Sequence, residues 1–346
     1  MDSKNKNKTN QTLMAAAIIL GGLFIGSLFV DVAQLISGQG ISVSKLQSIE
    51  EDGAFETKEG KTWVLKDEPI VSAKVVTDLD CKECQEEQDQ ILLALKKSVF
   101  PTLVVDKIDQ KSEQGEQLIE ELDLKKLPAY LFEQDVENTD FFEQGKVIFN
   151  QVDENYVLDN SKAGIPVNKY LVLPEFQEDV EVLGNPEADT EILIFGDFQC
   201  PYSKMFADNF SKVIDSYKDT VKVSFYQFPL TSIHPQAFDA SHASLCANEQ
   251  GKFWEMHDKL FASQSQWGVK DAKEGIFTDL AVEIGLNSYE FNQCMQEQRY
   301  NQIIQGDLAV AEEFGIAGTP SVFIGDRYIQ SAVGTERIKE MIEDQL

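Results

Sequence analysis

The spacing of apolar residues changes several times along the chain, and each change marks an element. Residues 13–30 form an apolar run without charge. Eighteen residues at a rise of ~1.5 Å span about 27 Å, close to the thickness of a bilayer core. Residues 55–65 read as a hairpin with Glu59-Gly60 near its turn, and 70–76 as a strand. Residues 83–98 have helical spacing, with Ile91, Leu92, Leu95 and Val99 on one side. A strand at 102–108 and a helix at 117–124 follow, and Leu127-Pro128 precedes a short strand at 129–132. Residues 135–186, rich in Asp, Glu, Asn and Gly, read as the connection between two halves.

The order then repeats. Residues 191–195 predict a strand, 204–217 a helix, and 221–228 alternate as a strand should. A long helical region runs over 235–314. Thr319-Pro320 precedes a strand at 321–324, Gly325-Asp326 is a turn signal, and 327–331 follows. Residues 335–346 close the chain as a helix with Thr335 as candidate N-cap. The fold class is α/β. The expected layout is a tail at 1–12, a transmembrane anchor at 13–30, a stalk at 31–60, and domains at 61–174 and 175–346. The turn Gly184-Asn185-Pro186 leads into the second domain.

Charge sharpens this layout. The net charge is −29, and Lys4, Lys6 and Lys8 stand before the apolar run. Beyond residue 30 there are 58 acidic residues (59 less Asp2) against 27 basic (30 less three lysines), a net of −31. Such a surface repels nucleic acid and anionic lipid headgroups. The lysine flank should stay in the cytoplasm and leave the bulk of the chain outside the cytoplasmic membrane. A cleaved signal peptide is the rival, but its apolar core is usually shorter and no convincing small-x-small cleavage site follows Val30. Gly22 and Gly26 form a GxxxG, weak evidence of helix pairing.

Disulfides persist outside the cytosol, so the five cysteines carry redox meaning there. An odd count leaves at least one without an intramolecular partner. Cys200 lies at a strand-to-helix joint, in Phe195-Gly196-Asp197-Phe198-Gln199-Cys200-Pro201-Tyr202-Ser203. Unpaired N–H groups and the positive end of the helix dipole stabilise a thiolate there and favour its formation. Pro201 at the first turn presets φ and costs no hydrogen bond. The competing reading is an inert buried cysteine. Cys81-Lys82-Glu83-Cys84 can cycle as a dithiol pair, with Lys82 favouring and Glu83 opposing the thiolate; a static disulfide is the alternative. A zinc site needs about four ligands. One C-x-x-C with His234, His242 and His257 scattered elsewhere does not make one, so neither metal nor cofactor is expected. Asp197 either tunes Cys200 or is a polar strand-end residue. Phe253, Trp254 and Phe261 read as core rather than substrate groove.

Residues from about 180 to 346 resemble the DsbA-like thioredoxin family in its extracytoplasmic branch. The matching features are Gly184-Asn185-Pro186, the 195–201 segment, His234-Pro235, the 246–254 segment, His257-Asp258 with Leu260-Phe261, and Gly318-Thr319-Pro320. The first half looks like a second, diverged thioredoxin-like domain on its C-x-x-C and Leu127-Pro128. The resemblance implies a thioredoxin fold with a helical insertion and disulfide exchange in exported proteins. It implies that Cys200 is the nucleophile, and that Thr319 and a cis-Pro320 position an extended substrate beside it. Pro128 would have that role opposite Cys81. Some relatives pair cysteines at the places of Cys246 and Cys294, which implies a structural disulfide. The partners implied are exported proteins with thiols or disulfides, and a membrane redox protein.

Ser203 is the departure. Where such enzymes carry a second cysteine, this chain has a hydroxyl that cannot resolve a mixed disulfide. The expected activity is therefore a monothiol oxidoreductase or isomerase, with Cys81 and Cys84 as a second redox centre. The competing class is a non-catalytic binding or chaperone module with structural disulfides only.

Overall fold

The computed structural model describes residues 54–56, 62–64, 69–175, 180–269 and 273–346. The expected tail, the anchor at 13–30 and the stalk up to residue 53 lie outside the described residues. No helix among the described residues is long and apolar enough to cross a membrane. The chain divides into two compact units, one of residues up to Asp123 with Pro128–Pro166, the other of Leu124–Leu127 with Val167–Leu346.

The first unit is built on β1 (Ser72–Thr77), α1 (Lys82–Ser98), β2 (Val104–Asp109), α2 (Glu113–Glu121), β3 (Ala129–Phe132), β4 (Phe149–Val152) and β5 (Asn155–Leu158). Its sheet runs β2-β1-β3-β5-β4, with β1 parallel to β2 and every other pair antiparallel. Cys84, Gln88, Leu92 and Leu95 recur along α1 and are all buried. That stripe packs Leu92 and Leu95 against Val75, Tyr130 and Phe132 of the sheet. The hairpin expected at 55–65 is present as Ala54–Glu56 paired with Thr62–Val64.

Two expectations are corrected here. Helix α2 begins at Glu113 rather than at 117, because the Ser112 hydroxyl caps it by accepting the Gly115 N–H at 3.0 Å. Gly115 also has a steric reason: a Cβ there would lie 2.0 Å from the Asp109 carbonyl oxygen. The stretch read as a connection supplies β4, β5 and much of the core. Phe142 and Phe149 pack with Tyr156 at ring-centroid distances of 5.0 and 6.2 Å. These aromatics outweigh the polar composition around them.

The second unit contains β6 (Thr190–Gly196), α3 (Pro201–Ile214), β7 (Val221–Gln227), α4 (Ala237–Asn248), α5 (Phe253–Ala262), α6 (Ile276–Glu283), α7 (Ser288–Glu297), α8 (Asn301–Glu313), β8 (Ser321–Ile324), β9 (Arg327–Ile329) and α9 (Thr335–Glu343). Central β6 is parallel to β7 and antiparallel to β8, and β9 follows β8. The β7-β6-β8 order repeats the β2-β1-β3 order of the first unit. Lys169–Tyr170 pairs with β9 and with Lys126–Leu127, which draws both short segments into this sheet. Residues 167–174, read from sequence as the end of the first domain, therefore belong to the second unit.

Helices α4 to α8 are inserted between β7 and β8. They bury Phe253, Met256, Leu260, Trp267 and Phe291 in one cluster with Phe225 and Ile194 of the sheet. Phe253 and Phe261 are core, as read; Trp254 is part-buried and donates its indole N–H to the Glu181 carbonyl at 2.7 Å. Cys246 of α4 and Cys294 of α7 are bonded to each other and wholly buried. The opposite sheet face holds Leu193, Phe195, Tyr226 and Phe323. Gly196 is required where β6 ends, since a Cβ would come within 2.3 Å of the Phe225 ring. The N-cap of α9 is Gly334, and Thr335 is its first helical residue rather than its cap.

Candidate functional site: a lone thiol at a helix start

Cys200 is the N-cap of α3, with Pro201 in the first turn. It is 4% exposed and is not bonded to another cysteine. Its thiol donates to the Thr319 carbonyl oxygen across 3.4 Å. The Thr319–Pro320 peptide is cis. Pairing of Phe195 with Ser321 across β6 and β8 sets this loop at the sheet end from which the 197–200 turn leaves. Sheet register thus brings together residues 119 positions apart.

Hydrogen bonds fix both sides of the contact. The Ser321 hydroxyl donates to the Gly318 carbonyl at 2.7 Å and accepts from Tyr328, 2.9 Å away. Burial pushes the Tyr328 phenol up to about 12, so it stays a donor at neutral pH. On the Cys200 side, the Gln264 amide donates to the carbonyls of Phe198 (2.7 Å) and Cys200 (3.0 Å). Gln199 donates to the Gly268 carbonyl at 2.9 Å and accepts the Gln236 N–H at 2.7 Å.

Ser203 stands one turn along α3 and is 3% exposed. Its hydroxyl accepts the Asp197 N–H at 3.3 Å. With Phe206, His257, Phe261 and Pro320 it lines a small void. Asp197 directly follows the end of β6. It is wholly buried, and its carboxylate accepts from Gln199 N–H, Leu230 N–H and His234. His257 pairs instead with Asp258 and packs its ring against Phe198 and Phe225.

Cys81 and Cys84 are bonded, with Cys81 the N-cap of α1. The Cys81 sulfur accepts the Cys84 N–H at 3.3 Å. The preceding loop is acidic and tied down: Leu79 N–H donates to Asp109, and Lys111 bonds Asp80 at 2.8 Å. Pairing of Val76 with Ala129 puts Pro128 at the sheet end where this loop leaves β1. The Leu127–Pro128 peptide is trans, however, so the cis-proline expected opposite Cys81 is not formed. The Asn160 side chain donates to the Pro128 carbonyl at 3.0 Å and occupies that acceptor.

Cys200, Ser203, Thr319 and Pro320 thus converge in the second unit, and Cys81, Cys84 and Pro128 share one sheet end in the first. No group of metal-binding side chains occurs among the described residues. Reading the sequence missed Gln264, Ser321 and Tyr328, and gave His234 no role. A glutamine in a helix has no signal that it reaches two carbonyls in another segment.

Residues 177–344 match the family model described as Thioredoxin. Disulfide bond formation protein D of Bacillus subtilis (strain 168) is 26% identical over 172 residues, covering 48% of this chain and 76% of that protein. The Na(+)/H(+) antiporter NhaA 1 of Mycobacterium sp. (strain KMS) is 30% identical over 164 residues, 47% of this chain and 26% of the antiporter. The chain thus spans about a quarter of the length of the antiporters that it matches. Among solved structures, BdbD from Bacillus subtilis (oxidised) is 24% identical with a TM-score of 0.42, covering 49% of this chain and 93% of that one. A thioredoxin-like oxidoreductase from Silicibacter pomeroyi DSS-3 is 25% identical with the same TM-score and coverage.

Proposed function

We propose that this chain, whose residues 177–344 match a thioredoxin family model, is a DsbA-like thiol-disulfide oxidoreductase or isomerase that acts on protein disulfides with Cys200 as a single-thiol nucleophile. One observation carries the reading: an unbonded cysteine at a helix start, 3.4 Å from the carbonyl that precedes a cis proline. The sulfur stands at the N-cap of α3, where the first N–H groups have no partner within the helix. The backbone at Thr319 offers an extended substrate a hydrogen-bonding edge.

The chemistry balances with one thiol. The Cys200 thiolate attacks a substrate disulfide, a Cys200–substrate S–S bond forms, the original S–S bond breaks, and the leaving thiolate takes a proton. A second thiolate then attacks the mixed disulfide and returns Cys200. If that thiolate is the substrate's own, the net result is isomerisation without electron transfer. If it is an external thiol, one substrate sulfur is freed and the other stays bonded to that thiol; a second external thiol displaces it, so the substrate is reduced and the two external thiols end as a disulfide. Ser203 supplies neither route.

The first unit repeats the strand order and places its C-x-x-C at a helix start. These features support a second thioredoxin-like domain whose Cys81–Cys84 pair cycles by itself. The apolar run at 13–30 behind three lysines supports a single-pass anchor in the cytoplasmic membrane, with the N-terminus inside and both domains outside. Exported proteins are then the substrates, and a membrane redox protein is the partner that resets the Cys81–Cys84 pair.

Turnover of a model peptide disulfide by the full chain, with Cys200→Ser alongside, tests the reading. The parent should turn over and form a peptide adduct on Cys200 visible by mass spectrometry; Cys200→Ser should form no such adduct and keep only the turnover that the Cys81–Cys84 pair supplies. Peptide binding without turnover in the parent would sink the enzyme reading in favour of a binding module.

A further inference from the structure

The Asp197–His234 pair joins a wholly buried carboxylate to a part-buried imidazole in the second unit, and the chemistry above does not use it. Asp197 is 0% exposed and the His234 side chain 16%. Asp197 Oδ2 lies 2.7 Å from His234 Nδ1 and accepts the Leu230 N–H at 2.9 Å. Its Oδ1 accepts the Gln199 N–H at 2.7 Å. The main chain of Asp197 is equally committed: its carbonyl accepts the Cys200 N–H at 3.0 Å, and its N–H donates to Ser203 Oγ. One residue therefore touches both ends of the Cys200-to-Ser203 turn, and the 230–236 loop holds that residue from outside. A second link ties the same two segments, from Gln236 N–H to Gln199 Oε1 at 2.7 Å.

We infer that His234 is a positioning residue for Cys200: through Asp197 it fixes the 197–200 turn, and so aims the sulfur at the start of α3 and at the Thr319 carbonyl. The inference rests on Cys200 being the nucleophile. Two physical effects point the same way. Without the imidazole, the buried carboxylate keeps only two backbone donors, and a buried acceptor that loses a partner drives local rearrangement. The rearranging residue is the one that holds the Cys200 N–H. The same turn carries the sulfur at the N-cap of α3, so its rearrangement also shifts the sulfur against the Thr319 carbonyl. Among the described groups bonded to this turn, the ionisable ones are Asp197, His234 and Cys200 itself. His257 lies across the Phe198 ring, at a centroid distance of 5.7 Å from it.

The test is the rate of Cys200 alkylation by iodoacetamide as a function of pH on the full chain, read by mass spectrometry of the Cys200 peptide. His234→Ala should slow alkylation at pH 7 by about tenfold and move the rate-against-pH curve to higher pH. His234→Asn, which keeps a neutral donor near the place of Nδ1, should return the rate to within about twofold of the parent. Gln199→Ala removes the second link at a half-buried side chain and should slow alkylation by about twofold, which keeps the inference testable if His234→Ala fails to fold. Thermal melting checks folding, and a merely structural histidine would lower the melting temperature while leaving the curve in place. Curves for folded His234→Ala or Gln199→Ala that overlay the parent would overturn the inference, as would a His234→Asn curve that follows His234→Ala. A parent whose Cys200 does not react at all fails the enzyme reading instead, so the two failures are distinguishable.

Discussion

The Cys246–Cys294 bond joins α4 to α7 across 48 positions inside the helical insertion. In the loop-closure description, closing a loop of that length removes conformational freedom from the unfolded chain worth about 4 kcal/mol at 25 °C. Both sulfurs are wholly buried in the cluster formed by Phe225, Phe253 and Phe291, so solvent gains nothing from their removal in the folded state. The double variant Cys246→Ala, Cys294→Ala should therefore lose about 4 kcal/mol, a fall in melting temperature of about 8–16 °C for a unit of this size. The chain has two compact units, so a single whole-chain transition is not assumed. Trp254 and Trp267 report on the second unit, and Trp63→Phe silences the remaining tryptophan. Urea unfolding followed by tryptophan fluorescence in that background reads the loss directly. A loss under about 1 kcal/mol would refute the reasoning and show that helix packing alone holds the insertion.

Ser203→Cys should convert the site to a dithiol, because residue 203 stands one turn from Cys200 on α3 and borders a small void. Mass spectrometry should then find Cys200 bonded to the new cysteine, and net oxidation of a reduced peptide should appear where the parent shows little; a variant with two free thiols under an oxidising buffer counts against the geometry. His242 is buried on α4 beside Phe238, and burial holds its imidazole below the ordinary range. As pH falls from about 6.5, the unfolded chain binds this proton before the folded one, so stability is lost until the folded-state value is passed. Urea melts between pH 7 and 5 should show a shallower loss for His242→Gln than for the parent, and equal slopes would contradict the assignment.

Much of this architecture is legible in the sequence. Helical spacing located α1, which buries one stripe, and apolar β-rich runs located β1, β6 and β7, of which β6 and β7 are buried on both faces. The 195–203 segment pointed to a nucleophile at a helix start, because strand, cysteine and N1 proline are local features. Local reading failed where distant groups decide. Residues 149–158 look polar, yet they pair as β4 and β5 because Phe142, Phe149 and Tyr156 find each other. Lys126–Leu127 is too short for any periodicity and is a strand through its pairing with Lys169–Tyr170. Pro128 and Pro320 have the same local context, a proline ahead of a strand, but only the Thr319–Pro320 bond is cis among the described residues. The Asp197–His234 contact spans 37 positions, and neither residue announces its partner.

A two-cysteine site carries its own clock, since the second thiol ends each encounter at a rate set by the protein. The hydroxyl of Ser203 removes that clock. On the mechanism proposed above, the lifetime of a Cys200–substrate bond scales inversely with the concentration of thiols around it. Abundant thiols would then make the domain turn over quickly. Scarce thiols would make it keep hold of its client, so the same sulfur would be a catalyst in one setting and a covalent tether in the other.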